Sequence, residues 1–138
     1  MNPRLSLALH VLCLLATQPQ QRVTSEYLAN SIGTNPVVIR RLLARLRQAG
    51  LVTSKGAAGG GWQLSRPAAE ISVRSVRAAL GEEVALRRHK NQPHPQCPVG
   101  RGVNQALDAV YASADAAIDA ALEHWSIAQV LELALQVS

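Results

Sequence analysis

The chain has 138 residues, enough for one ordinary domain with an appended arm, and 48% of them are apolar, so a substantial core is expected. Aromatics make up only 3% and Phe is absent, so Leu, Val, Ile and Ala must build that core, which favours helix over sheet. The net charge of +5 is unevenly spread: residues 1–80 carry ten Lys/Arg against two acids, and residues 81–138 carry four against seven, so the first part is suited to a polyanion.

Leu5–Thr17 is predicted as a helix, with Leu5, Leu9, Leu12 and Ala16 on one face and Ala8 and Leu15 beside them. Behind Arg4 this stretch looks like a signal-peptide core, but no small-residue cleavage site follows and it is too short to cross a bilayer. A soluble cytoplasmic protein without a membrane partner is expected. Gln18-Pro19-Gln20-Gln21 ends the helix. Thr24 or Ser25 opens a short helix to Ile32, because either hydroxyl can accept from a free helix-start amide, and Gly33 stops it. Thr34 and Asn35 cap the next helix, Pro36 fits its first turn, and it runs to about Arg47 before Gly50. Leu51–Ser54 and Trp62–Ser65 are predicted strands, joined by a loop from Lys55 to Gly61 with four glycines in seven positions. Ser72 starts a helix over Val73–Leu80, and a linker of charges, prolines and histidines follows. Val99 to His124 is one long helix with a heptad-like stripe of Val103, Leu107, Val110, Ala114, Ala117, Ala121 and Trp125, widened by Ile118 and Leu122. Asp108, Asp115, Asp119 and Glu123 fall at spacings expected of its solvated side. Ser126–Val137 is a final helix.

The order helix, short helix, glycine turn, basic helix, glycine-rich hairpin is that of a winged helix-turn-helix. On a helical wheel of about 100° per residue, Ile39, Leu42, Leu43 and Leu46 form one apolar face. Val37, Arg41, Ala44, Arg45 and Gln48 lie opposite, with Arg40 and Arg47 together on a flank. Arg can donate twice to a guanine edge, Gln can pair with adenine, and either can hold a phosphate. The candidate contacts to double-stranded DNA are therefore Thr34, Asn35, Val37, Arg40, Arg41, Arg45 and Gln48. From the wing come Lys55, Gly59 and Gly60, whose backbone amides can approach phosphates closely. Gly59-Gly60-Gly61 is no nucleotide-phosphate loop, since no Gly-Lys-Ser/Thr follows. Trp62 is expected to anchor the wing to the core.

The runs Asn35-Pro36-Val37-Val38-Ile39-Arg40-Arg41 and Leu46-Arg47-Gln48-Ala49-Gly50-Leu51-Val52, with Lys55-Gly56 and Gly59-Gly60, resemble the Rrf2 family of winged-helix regulators. Cys97-Pro98-Val99-Gly100 points to its cluster-free, YwnA-like branch. Two positions depart from the family pattern: Lys55 stands where Arg is usual, and Gly61 precedes Trp62 where an aromatic usually follows the Gly-Gly pair directly. The resemblance covers nearly the whole chain and implies a homodimer, with the long helix as its main interface, and usually repressor activity. The expected architecture is mainly α with a small β-hairpin. Residues 1–80 form the winged helix-turn-helix domain, 81–98 a linker, and 99–138 the dimerisation helix and C-terminal helix. The expected dimer-interface residues are Val103, Leu107, Val110, Ala114, Ile118, Ala121 and Trp125.

Some members of that family hold an iron–sulfur cluster on three linker cysteines, but here only Cys97 stands there, so no such cofactor is expected. His89, His94 and Cys97 lack the paired spacing of a zinc site. Two readings of Cys97 stay open. Helix-start amides and Arg101 favour a thiolate that could sense oxidants or electrophiles, or it is a small capping residue. Cys13, within the apolar run of the first helix, is expected to be buried and inert. No nucleophile–base or metal grouping supports an enzyme. The alternatives to a thiol-controlled regulator are an adaptor of winged-helix shape that binds an acidic protein, and a regulator controlled by a small-molecule ligand.

Overall fold

Three helices supply most of the core, and the second and third are capped by the polar residues before them, whereas the first follows Pro3 without a side-chain cap. The computed structural model describes residues 3–56, 60–81 and 86–137. Helix α1 (Arg4–Ala16) buries Ala8, Val11, Leu12, Cys13 and Leu15. Leu5, Leu9 and Ala16, expected at the centre of its face, are half-buried along the edges because neighbours pack on both sides. Helix α2 (Ser25–Ile32) starts at Thr24, whose Oγ1 accepts from the Tyr27 amide at 3.1 Å. It ends at Gly33, in the left-handed conformation (φ 87°, ψ 38°), and the amides of Gly33 and Thr34 both donate to the Ala29 carbonyl, at 2.8 and 2.9 Å. The chain is thereby turned for helix α3 (Pro36–Gln48), where Asn35 Oδ1 accepts from the Val37 amide at 2.8 Å.

Strands β1 (Val52–Lys55) and β2 (Gly61–Leu64) pair antiparallel, Val52 opposite Leu64 and Lys55 opposite Gly61. β1 begins and ends one residue later than predicted and β2 one residue earlier, because the ends are set by cross-strand pairing and not by apolar alternation alone. A 3₁₀ turn at Ala68–Glu70, for which the sequence carries no periodic signal, leads into helix α4 (Val73–Ala79), capped by Ser72. Cys97 caps helix α5 (Pro98–Glu123), and Ser126 with Gln129 forms a reciprocal capping box for helix α6 (Ile127–Leu135).

Two features differ from the sequence reading. The first is that α6, grouped there with the dimerisation arm, packs on α1 and the 3₁₀ turn, with Ile127 fully buried in the core. The Ile127 amide donates to the Ile71 carbonyl at 2.9 Å and the Val73 amide to the Trp125 carbonyl at 2.8 Å. Trp125 thus lies past the end of α5 and does not continue its stripe.

The second concerns α5, which has no buried residue and turns part of its acidic side inward. Arg77 of α4 donates to Asp119 Oδ1 at 2.6 Å and to Asp115 Oδ1 at 3.1 Å. Two of the acids expected to be solvated therefore hold the helix to the body.

Two glycines show where backbone freedom is required. A Cβ on Gly33 would meet nothing within 4 Å, whereas a Cβ on Gly61 (φ 130°) would lie 2.7 Å from the Val23 carbonyl oxygen. Gly33→Ala is expected to lower stability by about 1–2 kcal/mol through its dihedral alone. Gly61→Ala should cost more, since backbone must also move. Urea unfolding of both variants measures the difference; equal losses would count against the close contact at Gly61.

Candidate nucleic-acid interface

Because α3 is amphipathic, burying one side fixes the other. Ile39, Leu42, Leu43 and Leu46 are in the core. Val37, Arg41, Arg45 and Gln48 are exposed on the opposite side, with Ala44 half-exposed among them. Neither Arg41 nor Arg45 has an ion-pair partner among the described residues, so both guanidiniums keep their donors available. They rim a cavity of about 310 Å³ with Arg4, over an apolar floor of Leu7, Val38 and Leu42. Arg4 Nη2 donates to the Leu80 carbonyl at 3.0 Å.

The other candidates divide by what already engages them. Arg40 pairs with Glu26 of α2 at 3.2 Å, both side chains at least half exposed. Such a pair contributes little, so a phosphate can displace Glu26 at small cost. Asn35 is committed through its Oδ1 to the helix cap. Thr34 is half-exposed beside it, at the turn. Lys55 is exposed at the end of β1 and Gly60 is half-exposed just before β2. Gly59 lies outside the described residues.

The wing is tied to the helix-turn-helix from two directions. The Val23 and Trp62 backbones exchange two hydrogen bonds of 2.8 Å, and Gln63 Nε2 donates to the Pro19 carbonyl at 2.7 Å. The half-buried Trp62 donates from Nε1 to Oγ of the buried Ser25 at 3.1 Å, which anchors it as expected. Arg47 lies over the Trp62 ring, 5.4 Å from its centroid, and donates to Ser54 Oγ at 2.9 Å. This cation–π contact holds a positive charge where α3 meets the wing. The sequence reading placed Arg47 on a flank but did not count it as a contact. Its spacing from Trp62 in the chain gave no signal, since only the hairpin brings the two together.

The expected interface residues, six on α5 and Trp125 just beyond its end, are placed unevenly. Val110, Ala121 and Trp125 are exposed, and Val103, Leu107, Ala114 and Ile118 are half-buried along one flank. Taking the Asp115 direction as inward, Val99, Ala106, Val110, Ser113 and Ala117 lie within about 40° of the opposite direction. All five are exposed.

The cysteines are far apart in environment. Cys13 is buried in α1, and burial pushes its thiol pKa up. Cys97 is exposed, its Sγ accepting from the Gly100 amide at 3.4 Å. His89 Nδ1 accepts from the Asn91 amide at 3.2 Å and His94 Nδ1 from the Gln96 amide at 3.1 Å, so each ring braces its own stretch of linker. Among the described residues no three His, Cys, Asp or Glu side chains converge as metal ligands, and no helix is long and apolar enough to cross a membrane.

Comparison with known proteins gives a consistent result. The sequence model of the Rrf2 family, described as an iron-dependent transcriptional regulator, matches residues 1–133. YwnA of Bacillus subtilis strain 168, named as an HTH-type transcriptional regulator, is 36% identical over 131 residues, 94% of this chain and 96% of YwnA. A crystal structure described as that of a DNA-binding protein is 34% identical, with a TM-score of 0.74 over 93% of this chain and 98% of the other. The global cysteine regulator CymR of B. subtilis shares the fold at 16% identity, with a TM-score of 0.72 over 96% of both chains. The donors here do not fit the iron centre that the family description implies. One cysteine is sealed in the core, the other caps α5, and no ligand set surrounds either among the described residues.

Arg41→Ala and Arg45→Ala should each weaken binding to a specific duplex by about 1–3 kcal/mol with circular dichroism unchanged. Arg40→Ala should cost less. Gel shifts on selected duplexes provide the measurement, and unaltered affinity in both of the first two variants would contradict the face assignment.

Proposed function

Because the chain belongs to the Rrf2 family of DNA-binding transcriptional regulators, we propose that it acts as a homodimeric repressor whose two copies of α3 read a near-palindromic operator. Residues 35–48 of each subunit enter a major groove, and residues 55–61 reach the adjacent backbone or minor groove. Residues 1–80 form the DNA-reading part and α5 the pairing element. Its work on chromosomal DNA puts it in the cytoplasm.

The observation that carries the dimer is the orientation of α5. A 26-residue helix has Asp115 and Asp119 turned toward its own subunit while Val99, Ala106, Val110, Ser113 and Ala117 face outward. That outward side carries no charge, and its two valines stand exposed to 72% and 59%. In water the arrangement leaves this side uncovered, and a second copy of the same helix supplies a matching surface about the same axis. Small residues at Ala106, Ser113 and Ala117 let two such helices approach closely, with the valines packing between them. A dimer of this kind serves an operator when its reading helices stand about 34–36 Å apart, one turn of duplex.

The exposed thiol of Cys97 at the head of α5, close in sequence to Val99 of the pairing face, supports an oxidant-responsive regulator. A peroxide would deliver one oxygen to the thiolate: a sulfur electron pair forms the S–O bond, the O–O bond breaks, hydroxide leaves and a sulfenic acid remains. Added polarity at the edge of the pairing face would weaken the dimer and release the operator.

Val110→Asp should sediment as a monomer at concentrations where the parent chain is dimeric, and should lose operator binding. A dimeric Val110→Asp would contradict the α5 interface. Binding by the parent chain should fall steeply with salt, log K decreasing linearly with log salt concentration, with a marked preference for one duplex over competitors. Binding to acidic protein without duplex preference would instead favour the adaptor reading. Peroxide should reduce operator affinity of the parent and spare Cys97→Ser. Equal behaviour of the two would favour a small-molecule effector.

A further inference from the structure

The Arg77 contact does more than attach a helix. On α4, Val73 and Val76 are buried in the winged body, and Arg77 points from the same short helix toward α5. Its guanidinium is forked between Asp115 and Asp119, one turn apart, with side-chain exposures of only 14% for Arg77, 17% for Asp115 and 34% for Asp119. The pair is therefore largely shielded, and its geometry is fixed at two points on the same helix side. By contrast, two further ion pairs that reach α5, Arg74 to Glu123 at 3.8 Å and Arg88 to Asp108 at 3.2 Å, are well exposed. Strong hydrogen bonding to Asp119, and secondarily to Asp115, pushes the Arg77 pKa up against the opposing effect of burial, so the group stays charged.

A second attachment lies at the C-terminal end of α5. Ser72 bridges to Ser126, and the Val73 amide donates to the Trp125 carbonyl at 2.8 Å. This attachment acts as a pivot just beyond Glu123. The Arg77 fork grips the helix about two to three turns away. Two points define the line of a rigid helix, so together they set the direction in which α5 leaves the body that carries α3. A shielded ion pair contributes modestly to net stability but selects one arrangement among several.

We propose that Arg77 is the positioning residue that sets the spacing and relative angle of the two DNA half-sites, by locking α5 to the winged body through Asp115 and Asp119. The inference rests on the dimeric reading of a two-part operator above. Arg77 touches no DNA; it acts through the direction of α5. With the fork removed, α5 can swing about the pivot, and the two reading helices accept a range of separations.

The test uses the full chain and a half-site sequence first selected with the parent protein. Duplexes carry two copies of that half-site, with the centre-to-centre distance varied one base pair at a time. Gel-shift affinities are measured for the parent, Arg77→Met, which keeps the length of the stem, and Arg77→Lys, which keeps the charge but cannot grip both carboxylates. The parent should show a sharp optimum, losing about tenfold or more in affinity two base pairs away from it, because a rigid dimer reaches both sites only at one separation. Arg77→Met should still bind an isolated half-site as the parent does and should sediment as a dimer, but its spacing profile should flatten to within about threefold. Arg77→Lys should fall between.

A sharp parent-like optimum in Arg77→Met overturns the proposal. So does loss of half-site binding or of the dimer in both variants, since either shows a structural role alone. A parent chain that is monomeric, or that has no spacing optimum, removes the dimeric reading itself and is distinguishable from both.

Discussion

The molecule depends on one constraint: α3 has a single apolar face, and the core accepts it. Once Ile39, Leu42, Leu43 and Leu46 are buried, Arg41 and Arg45 have no direction left except outward. The left-handed residue at Gly33 sets the angle at which this happens, because it reverses the chain between α2 and α3 without a side chain to obstruct the turn. A charged face produced this way needs no dedicated support. It is held by the same burial that holds the domain, at roughly 1.5–3 kcal/mol per large apolar side chain.

The wing extends that logic. Its strands are only four residues each, too few to be stable alone. They persist because Val23 adds a bridge to Trp62, and because Trp62 connects three parts: Ser25 at the start of α2, the Val23 backbone, and Arg47 near the end of α3. A shift of the wing against α2 and α3 would break these contacts. Arg47 of α3 and Lys55 of the wing thus line one shared depression.

Local chemistry was legible in the sequence. Thr24, Asn35, Ser72 and Cys97 cap the helices as their side chains suggest, and the burial of Cys13 and the anchoring of Trp62 followed from apolar context. What was not legible came from contacts between distant segments. Nothing local to Ile127 says that α6 returns to α1, because any amphipathic helix of that length could pack elsewhere. The heptad-like stripe on α5 comes from apolar spacing alone, and the acids fall at spacings expected of the solvated side. The structure places Asp115 and Asp119 against Arg77, and so rotates the outward face toward Ala106, Val110, Ser113 and Ala117. Val110 and Ala117 belong to both the predicted stripe and this face, whereas the small Ala106 and Ser113 belong to the face alone. An ion pair 38 residues apart in sequence leaves no periodic trace. The role of Arg47 was hidden for the same reason.

The central claim, that the arginine side of α3 enters a major groove in each half of a paired site, is tested most directly by methylation protection of guanine N7, an atom exposed only in that groove. On a selected operator two protected guanine clusters are expected about one helical turn, roughly 10 base pairs, apart, with the protection vanishing at high salt. Affinity for the operator without any guanine N7 protection would contradict it.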